Sequence, residues 1–230
     1  MRVTVDMKTI TIKYQEKRQS GLKHSGRAYT NQEIRQVQEM ATSKEKRDKH
    51  FPLFAHDNPF RKLFSNPNEF CSYVTNGQVV ADLGCGPGFY TLALAECVGP
   101  KGRVYAVDSD EKAIRALEKK AEERGYHNIE AHASSASDLN FIKDGSVDFV
   151  LANGLLCSMA PKYHESTVSE IKRILKPGGL AYLSVAKGFL SYVGQAEWEK
   201  ILERFRVERR GGDGFIAFSD RWALVATKQR

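Results

Sequence analysis

Apolar and polar positions alternate along this chain in two distinct rhythms. Short apolar runs stand at Val79–Leu83, Arg103–Asp108 and Leu180–Val185, and each is bounded by turn-forming residues. Such runs predict strands buried in a sheet. Between the first two lies Thr91–Val98, rich in Ala and Leu, which predicts a helix; Glu170–Leu175 predicts another before the run that starts at Leu180. The segment Gln195–Phe205 places Ala196, Ile201, Leu202 and Phe205 on one helical face. Phe205–Arg209 and Trp222–Thr227 read as two final strands, joined by a connection through Gly211, Gly212, Gly214 and Phe215–Phe218 without room for a full helix. The chain contains no internal repeat and no low-complexity tract.

The junction after the first run carries the most chemistry. Val79–Leu83 includes Asp82 near its end and breaks into Gly84-Cys85-Gly86-Pro87-Gly88-Phe89-Tyr90, and the second run also ends on an acid, Asp108. Glycines there let the backbone turn sharply and lie flat against a ligand. A carboxylate at the next strand end can accept both hydroxyls of a ribose. A dinucleotide fingerprint requires Gly or Ala three positions after Gly86, where this chain has Phe89, so NAD is the weaker reading.

At these residues the sequence resembles the class I (Rossmann-like) S-adenosylmethionine-dependent methyltransferases, in particular those acting on small molecules. The family's first motif looks like Asp82–Gly88, its fourth strand is similar to Asp144–Asn153, and its helix and turn before the fifth strand look like Glu170–Leu180, with Leu175-Lys176-Pro177-Gly178-Gly179. That turn makes local sense too: basic residues end the helix, Pro177 stops it and the glycines supply positive φ. The resemblance runs from about Val79 to Lys187. It implies an α/β fold, a doubly wound, seven-stranded, mainly parallel sheet with an antiparallel last strand and a helical N-terminal extension.

The resemblance also implies a cofactor, S-adenosyl-L-methionine, and residues that hold it. Asp82, Gly84, Cys85, Gly86, Gly88 and Tyr90 belong to the methionine end, Asp108 and Ser109 to the ribose, and Asn153 lies near the methyl group. After the third strand, Ile129–Ala133 here, relatives commonly place an acid by the adenine amino group; that position is Ser135, whose hydroxyl can accept the same bond, with the Ala136 amide facing a ring nitrogen.

Charge changes the picture only at the N-terminus. The 230-residue chain has a net charge of +7, but residues 1–50 carry 12 Lys or Arg against 6 Asp or Glu, so nearly all of the excess sits there. The expected division is a basic extension over residues 1–50 and a cofactor-binding domain over 51–230. Within the extension, Thr9–Tyr14 suggests a short strand and Thr30–Glu33 a capping box opening a helix toward Lys49. Asn58-Pro59 and Asn66-Pro67 suggest short helices, Pro59–Phe64 and Pro67–Val74. Residues 1–28 read as a mobile tail and 29–74 as a lid that selects the acceptor.

With 41% apolar residues, a chain of this size buries roughly 70% of its unfolded surface. No run approaches a membrane span, and no signal core opens the sequence. Cysteines 71, 85, 97 and 157 lack metal-ligand spacing, so the expectation is reduced thiols, a cytoplasmic location and no metal.

Methyl transfer is an in-line displacement that needs alignment and dryness more than a protein nucleophile. His56, Tyr163 and His164 are candidate general bases, none favoured over ordinary packing, and the catalytic residues stay unassigned. Cys157 lacks the preceding proline of cytosine-C5 methyltransferases, having Leu156 instead, and Asn153-Gly154-Leu155-Leu156 departs from the Asn-Pro-Pro-aromatic motif for planar amines. A small-molecule acceptor is therefore expected. The alternatives are an RNA methyltransferase and a non-catalytic cofactor-binding partner subunit.

Overall fold

Apolar runs and the helices between them set the architecture of the computed structural model, which describes residues 66–186, 191–212 and 220–228. The chain divides into two units, Met1–Lys46 and Arg47–Arg230, and the described residues all lie in the second. The strands are β1 (Val79–Leu83), β2 (Arg103–Asp108), β3 (Ile129–Ala133), β4 (Val147–Asn153), β5 (Leu175–Ala186), β6 (Arg206–Gly211) and β7 (Asp220–Ala226). The helices are α1 (Thr91–Val98), α2 (Glu111–Glu123), α3 (Leu155–Ser158), α4 (His164–Ile174) and α5 (Gln195–Glu203).

The strands form one sheet in the order β3-β2-β1-β4-β5-β7-β6. The first five are parallel, while β7 pairs antiparallel with both β5 and β6. That closing hairpin is the antiparallel ending expected from the sequence. The strand order reverses beside β1, between β2 and β4, and in open α/β sheets a ligand cleft forms outside the strand ends at such a point.

Side chains alternate across the sheet and build a core on each face. On one face, Val80, Val104, Phe149, Leu151 and Tyr182 pack with Leu94 and Val98 of α1 and with Phe70 from a 3-10 turn, Glu69–Tyr73. Farther along that face, Ala106 meets Ile114, Leu117 and Ala121 of α2. On the other, Ala81, Leu83, Val150, Ala152, Ala181 and Leu183 pack with α4 and α5 through Val168, Ile171, Ile174, Trp198 and Ile201. Asp110 caps α2, its side chain accepting the Lys112 N–H at 2.9 Å.

Several expectations change. Pro67–Val74 forms the 3-10 turn rather than an α-helix; Asn66 does accept a bond, from the Asn68 N–H at 3.0 Å, which closes a tight local turn instead of opening an α-helix. The helix before Pro177 ends at Ile174, and Leu175 already pairs with Val147, so the Lys-Pro-Gly-Gly segment lies within β5 at an irregularity in its pairing with β4. On α5, Ala196 is exposed and Trp198, 3% exposed, packs against the sheet.

The thiol expectation fails at two positions. Cys71 and Cys97 form a disulfide, joining the 3-10 turn to the last turn of α1. Their spacing of 26 carries no local signal; packing of Phe70 beside α1 brings them together. Cys85 and Cys157 are buried thiols outside any disulfide. The expected strand Thr9–Tyr14, the helices Thr30–Lys49 and Pro59–Phe64, and most of the expected lid lie outside the described residues. Among the described residues, no helix is long and apolar enough to cross a membrane.

Candidate functional site

The α1 face of the sheet is apolar through Val80, Leu151 and Tyr182. Two residues farther along each strand, the same face carries Asp82, Asn153 and Ser184. A polar cluster therefore stands at the carboxyl ends of three neighbouring strands, β1, β4 and β5.

Asp82 is 3% exposed and accepts the Thr91 hydroxyl at 2.6 Å. That bond ties the end of β1 to the first turn of α1, across the glycine turn. The turn itself folds toward β2, with the Gly84 and Cys85 N–H groups donating to the Val107 carbonyl at 2.7 and 3.1 Å. Gly86 N–H donates to Asp108 Oδ2 at 2.8 Å, and Asp110 N–H donates to Asp108 Oδ1 at 2.9 Å. Lys120 of α2 reaches the Pro87 carbonyl at 3.1 Å.

Two glycines have steric reasons to be there. A Cβ on Gly84 would stand 3.1 Å from Leu155 Cδ1, so α3 begins close against the glycine turn. Gly88 has φ +89°, and a Cβ there would stand 2.4 Å from Leu117 Cδ1 in the core.

Cys85 sits between the two acids. Burial, then the charges of Asp82 and Asp108, push its thiol well above the ordinary range. It remains a neutral thiol and is no nucleophile. Tyr90 is 8% exposed and packs edge-on against Phe70 and Phe89, which anchors the end of the turn.

The third strand joins at the other side of Asp108. Ser134 N–H donates to the Asp108 carbonyl at 3.0 Å, which sets Ser135 and Ala136 just beyond Asp108. Ser135 Oγ lies 2.8 Å from Ser137 Oγ and accepts the Ser137 N–H at 3.2 Å, while Ala136 is buried. Ser109 is exposed on the turn between Asp108 and Asp110.

S-adenosylmethionine fits this donor set. Each Asp108 carboxylate oxygen accepts one N–H and keeps a further lone pair for a ribose hydroxyl. The glycine turn offers a flat approach between the two acids, and Asn153 ends β4, the strand beside β1. Thr91 and Ser184 were not singled out from the sequence; only the strand register, Asn153 opposite Ser184, reveals the second.

Of the candidate bases, His164 is excluded. It is 4% exposed, with Nδ1 2.6 Å from Glu197 Oε1 and Nε2 3.1 Å from the Met159 carbonyl, so both nitrogens are committed to holding α4 against its neighbours. Tyr163 is 37% exposed at the start of α4 and lies under the Lys162 ammonium. Cys157 is a buried thiol donating to the Gly154 carbonyl at 3.1 Å, and His56 lies outside the described residues. Among the described residues, no group of three or more His, Cys, Asp or Glu can hold a metal ion.

Residues 80–179 match the family model described as a methyltransferase domain. Demethylmenaquinone methyltransferase of Geobacillus stearothermophilus is 37% identical over 107 residues, covering 46% of this chain and 44% of that protein. The chain thus aligns with less than half the length of that curated relative. A crystal structure of a SAM dependent methyltransferase from Aquifex aeolicus superposes with a TM-score of 0.61 at 26% identity, over 77% of this chain and 100% of that one. A putative rRNA-methylase from Clostridium thermocellum, at 22% identity, 73% coverage of this chain, 97% of that one and a TM-score of 0.60, shares the fold. A strand order that reverses beside the glycine turn, acids at the ends of β1 and β2, and these matches give the chain a methyltransferase domain over residues 80–179 and the class I S-adenosylmethionine-dependent methyltransferase fold.

Proposed function

We propose that the chain transfers a methyl group from S-adenosylmethionine to a small-molecule acceptor, with demethylmenaquinone-like quinols as the class to test first. The observation that carries the reading is the Gly86–Asp108 bond of 2.8 Å, which holds the glycine turn against the ribose-side acid. Curated relatives named for a demethylmenaquinone acceptor support the small-molecule class.

When bound, the cofactor supplies an electrophilic methyl on a sulfonium whose charge disappears on transfer. The chain's own residues supply position. Asp108 takes the ribose hydroxyls, Ser135 and Ala136 border the adenine, and Asp82 with the turn from Gly84 to Gly88 holds the amino-acid end. Asn153 stands beside the transferring group, and the first turn of α3, packed against Gly84, forms a wall that excludes water.

Two measurements test the proposal. S-adenosylhomocysteine is expected to bind and raise the melting temperature, whereas NAD leaves it unchanged. With tritiated S-adenosylmethionine, label is expected in a reduced short-chain demethylmenaquinone and not in mixed RNA. Binding without transfer to any acceptor would favour a non-catalytic partner subunit, and salt-resistant transfer to RNA would overturn the small-molecule class.

A further inference from the structure

The side chain of Asn153 is not free to choose which end it shows the cleft. Its neighbour Ser184, 1% exposed, accepts the Gly154 N–H at 2.9 Å and lies 2.5 Å from Asn153 Oδ1. A hydroxyl has one hydrogen to give. With the Gly154 N–H already pointed at its oxygen, that hydrogen needs an acceptor, and the Asn153 amide oxygen supplies it. Turning the amide around would aim a second N–H at Ser184 Oγ and strand the hydroxyl hydrogen in a buried place. The amide oxygen is therefore turned toward β5, one of its two lone pairs taken by the Ser184 hydroxyl. The other end of the side chain, the NH2, has two donors with no partner in the described protein, half-buried at the strand end two residues beyond Leu151, the register partner of Asp82.

We infer that the methyl acceptor is recognised through an oxygen, a carbonyl or oxyanion held by the Asn153 NH2, and that Ser184 is the positioning residue that fixes this preference. The inference rests on the methyl-transfer reading and adds to it the class of acceptor. An amine brings N–H donors that need acceptors, and the acceptor end of this side chain is turned toward Ser184. An oxyanion brings lone pairs to two waiting donors. A hydrogen bond on the attacking atom itself would weaken its attack, so the recognised oxygen sits next to the reacting atom. Substrates of this kind are enolates, phenolates and quinols that react at a neighbouring carbon or oxygen.

The test uses full-length protein saturated with S-adenosylhomocysteine and two ring compounds as probes: 2-hydroxy-1,4-naphthoquinone, an oxyanion at neutral pH, and 1-naphthylamine. Wild type is expected to bind the oxyanion at least about tenfold more tightly than the amine. Asn153→Asp replaces the donors with a charge of the wrong sign and should lose that preference. Ser184→Ala frees the amide to turn, so the preference should collapse toward equality, and Ser184→Thr, which keeps the hydroxyl, should restore it. In asparagine-15N-labelled protein the Asn153 NH2 resonances should move when the oxyanion is added. Equal binding or no binding of the two probes by wild type would overturn the inference, as would a preference unchanged in Ser184→Ala. A fall in S-adenosylhomocysteine affinity in Asn153→Asp that matches the loss of oxyanion binding would assign the amide to the cofactor instead. Failure of wild type to bind S-adenosylhomocysteine at all would instead bring down the methyl-transfer reading itself.

Discussion

Gly86 donates its backbone N–H to Asp108 Oδ2 at 2.8 Å, so the glycine turn after β1 and the acid that ends β2 form one hydrogen-bonded unit. The same carboxylate takes the Asp110 N–H through its other oxygen. Asp108 therefore shapes the glycine turn by itself.

Replacing Asp108 by Ala should remove the loop anchor and, on the proposed function, the ribose acceptor as well. Hydrogen bonds to a charged group contribute about 1.5–3 kcal/mol, so S-adenosylhomocysteine affinity should fall roughly 10- to 150-fold. Isothermal titration reads this directly. Unchanged affinity would remove Asp108 from the cofactor site.

Gly88→Ala tests the other end of the turn. The new Cβ would stand 2.4 Å from Leu117 Cδ1, and φ +89° is a conformation L-residues rarely hold. Strain of that kind costs about 1–3 kcal/mol, and Leu117 is fully buried, with little room to withdraw. Chemical denaturation should show a loss of that size, with weakened cofactor binding as the turn shifts. A stability equal to wild type would mean that Leu117 yields its space freely.

The disulfide makes a covalent prediction. Denatured under non-reducing conditions, the protein should show two titratable thiols, Cys85 and Cys157, although its sequence contains four cysteines. Closing a loop of this length typically contributes about 2–4 kcal/mol, so Cys71→Ser should lower stability by that order. Four reactive thiols in the denatured, unreduced protein would show that the bond does not form.

Much of this arrangement was legible because it is written in local patterns. Apolar runs marked β1, β2 and β5, the family resemblance marked β3 and β4, and three glycines after Asp82 marked the turn that follows β1. Features that arise across the sheet were silent. Ser184 is an ordinary small residue in an apolar run until the β4–β5 register sets it opposite Asn153. Cys71 and Cys97 have no spacing signature, and they meet only because Phe70 packs by α1. On α5 the helical spacing fitted Ala196, yet Trp198 offers far more apolar surface to bury and took the inward place. Helix α2 was readable and passed over: Ala113, Ile114, Leu117 and Ala121 follow the period of its buried face behind the Asp110 cap.

Acid should loosen the α4 side of the sheet through Glu170. Hydrogen bonds from Arg173 hold its carboxyl below the ordinary range, with partial burial opposing them and the Leu139 N–H at 2.7 Å assisting. A carboxyl depressed in the folded state stabilises fully above its unfolded pKa and loses that contribution as pH falls through the folded value. Glu170→Gln should therefore cost about 1–3 kcal/mol at neutral pH, and the gap from wild type should close as pH falls below the ordinary carboxylate range, about 4.3. Melting curves across that range measure it. A gap that stays constant with pH would assign the stabilisation to shape and neutral hydrogen bonding alone.

The last prediction separates cofactor binding from acceptor selection along the chain. Every strand of the sheet, and every residue named here for the cofactor, lies after residue 65, whereas the chain's first unit ends at Lys46. Deleting residues 1–46 should leave a cooperative fold whose S-adenosylhomocysteine affinity changes by less than about tenfold, or 1.4 kcal/mol. The excess positive charge lies in that same stretch, so any salt-sensitive binding to mixed RNA should disappear with it. If the N-terminal region selects and aligns the acceptor, as its helical pattern suggests, methyl transfer should suffer far more than cofactor binding, because misalignment removes much of the catalysis. Paired titration and transfer assays on the two forms give the answer. Full transfer by the truncated form would confine acceptor selection to the strand edge around Asn153, and equal loss of binding and transfer would mean that the N-terminal region serves the cofactor itself.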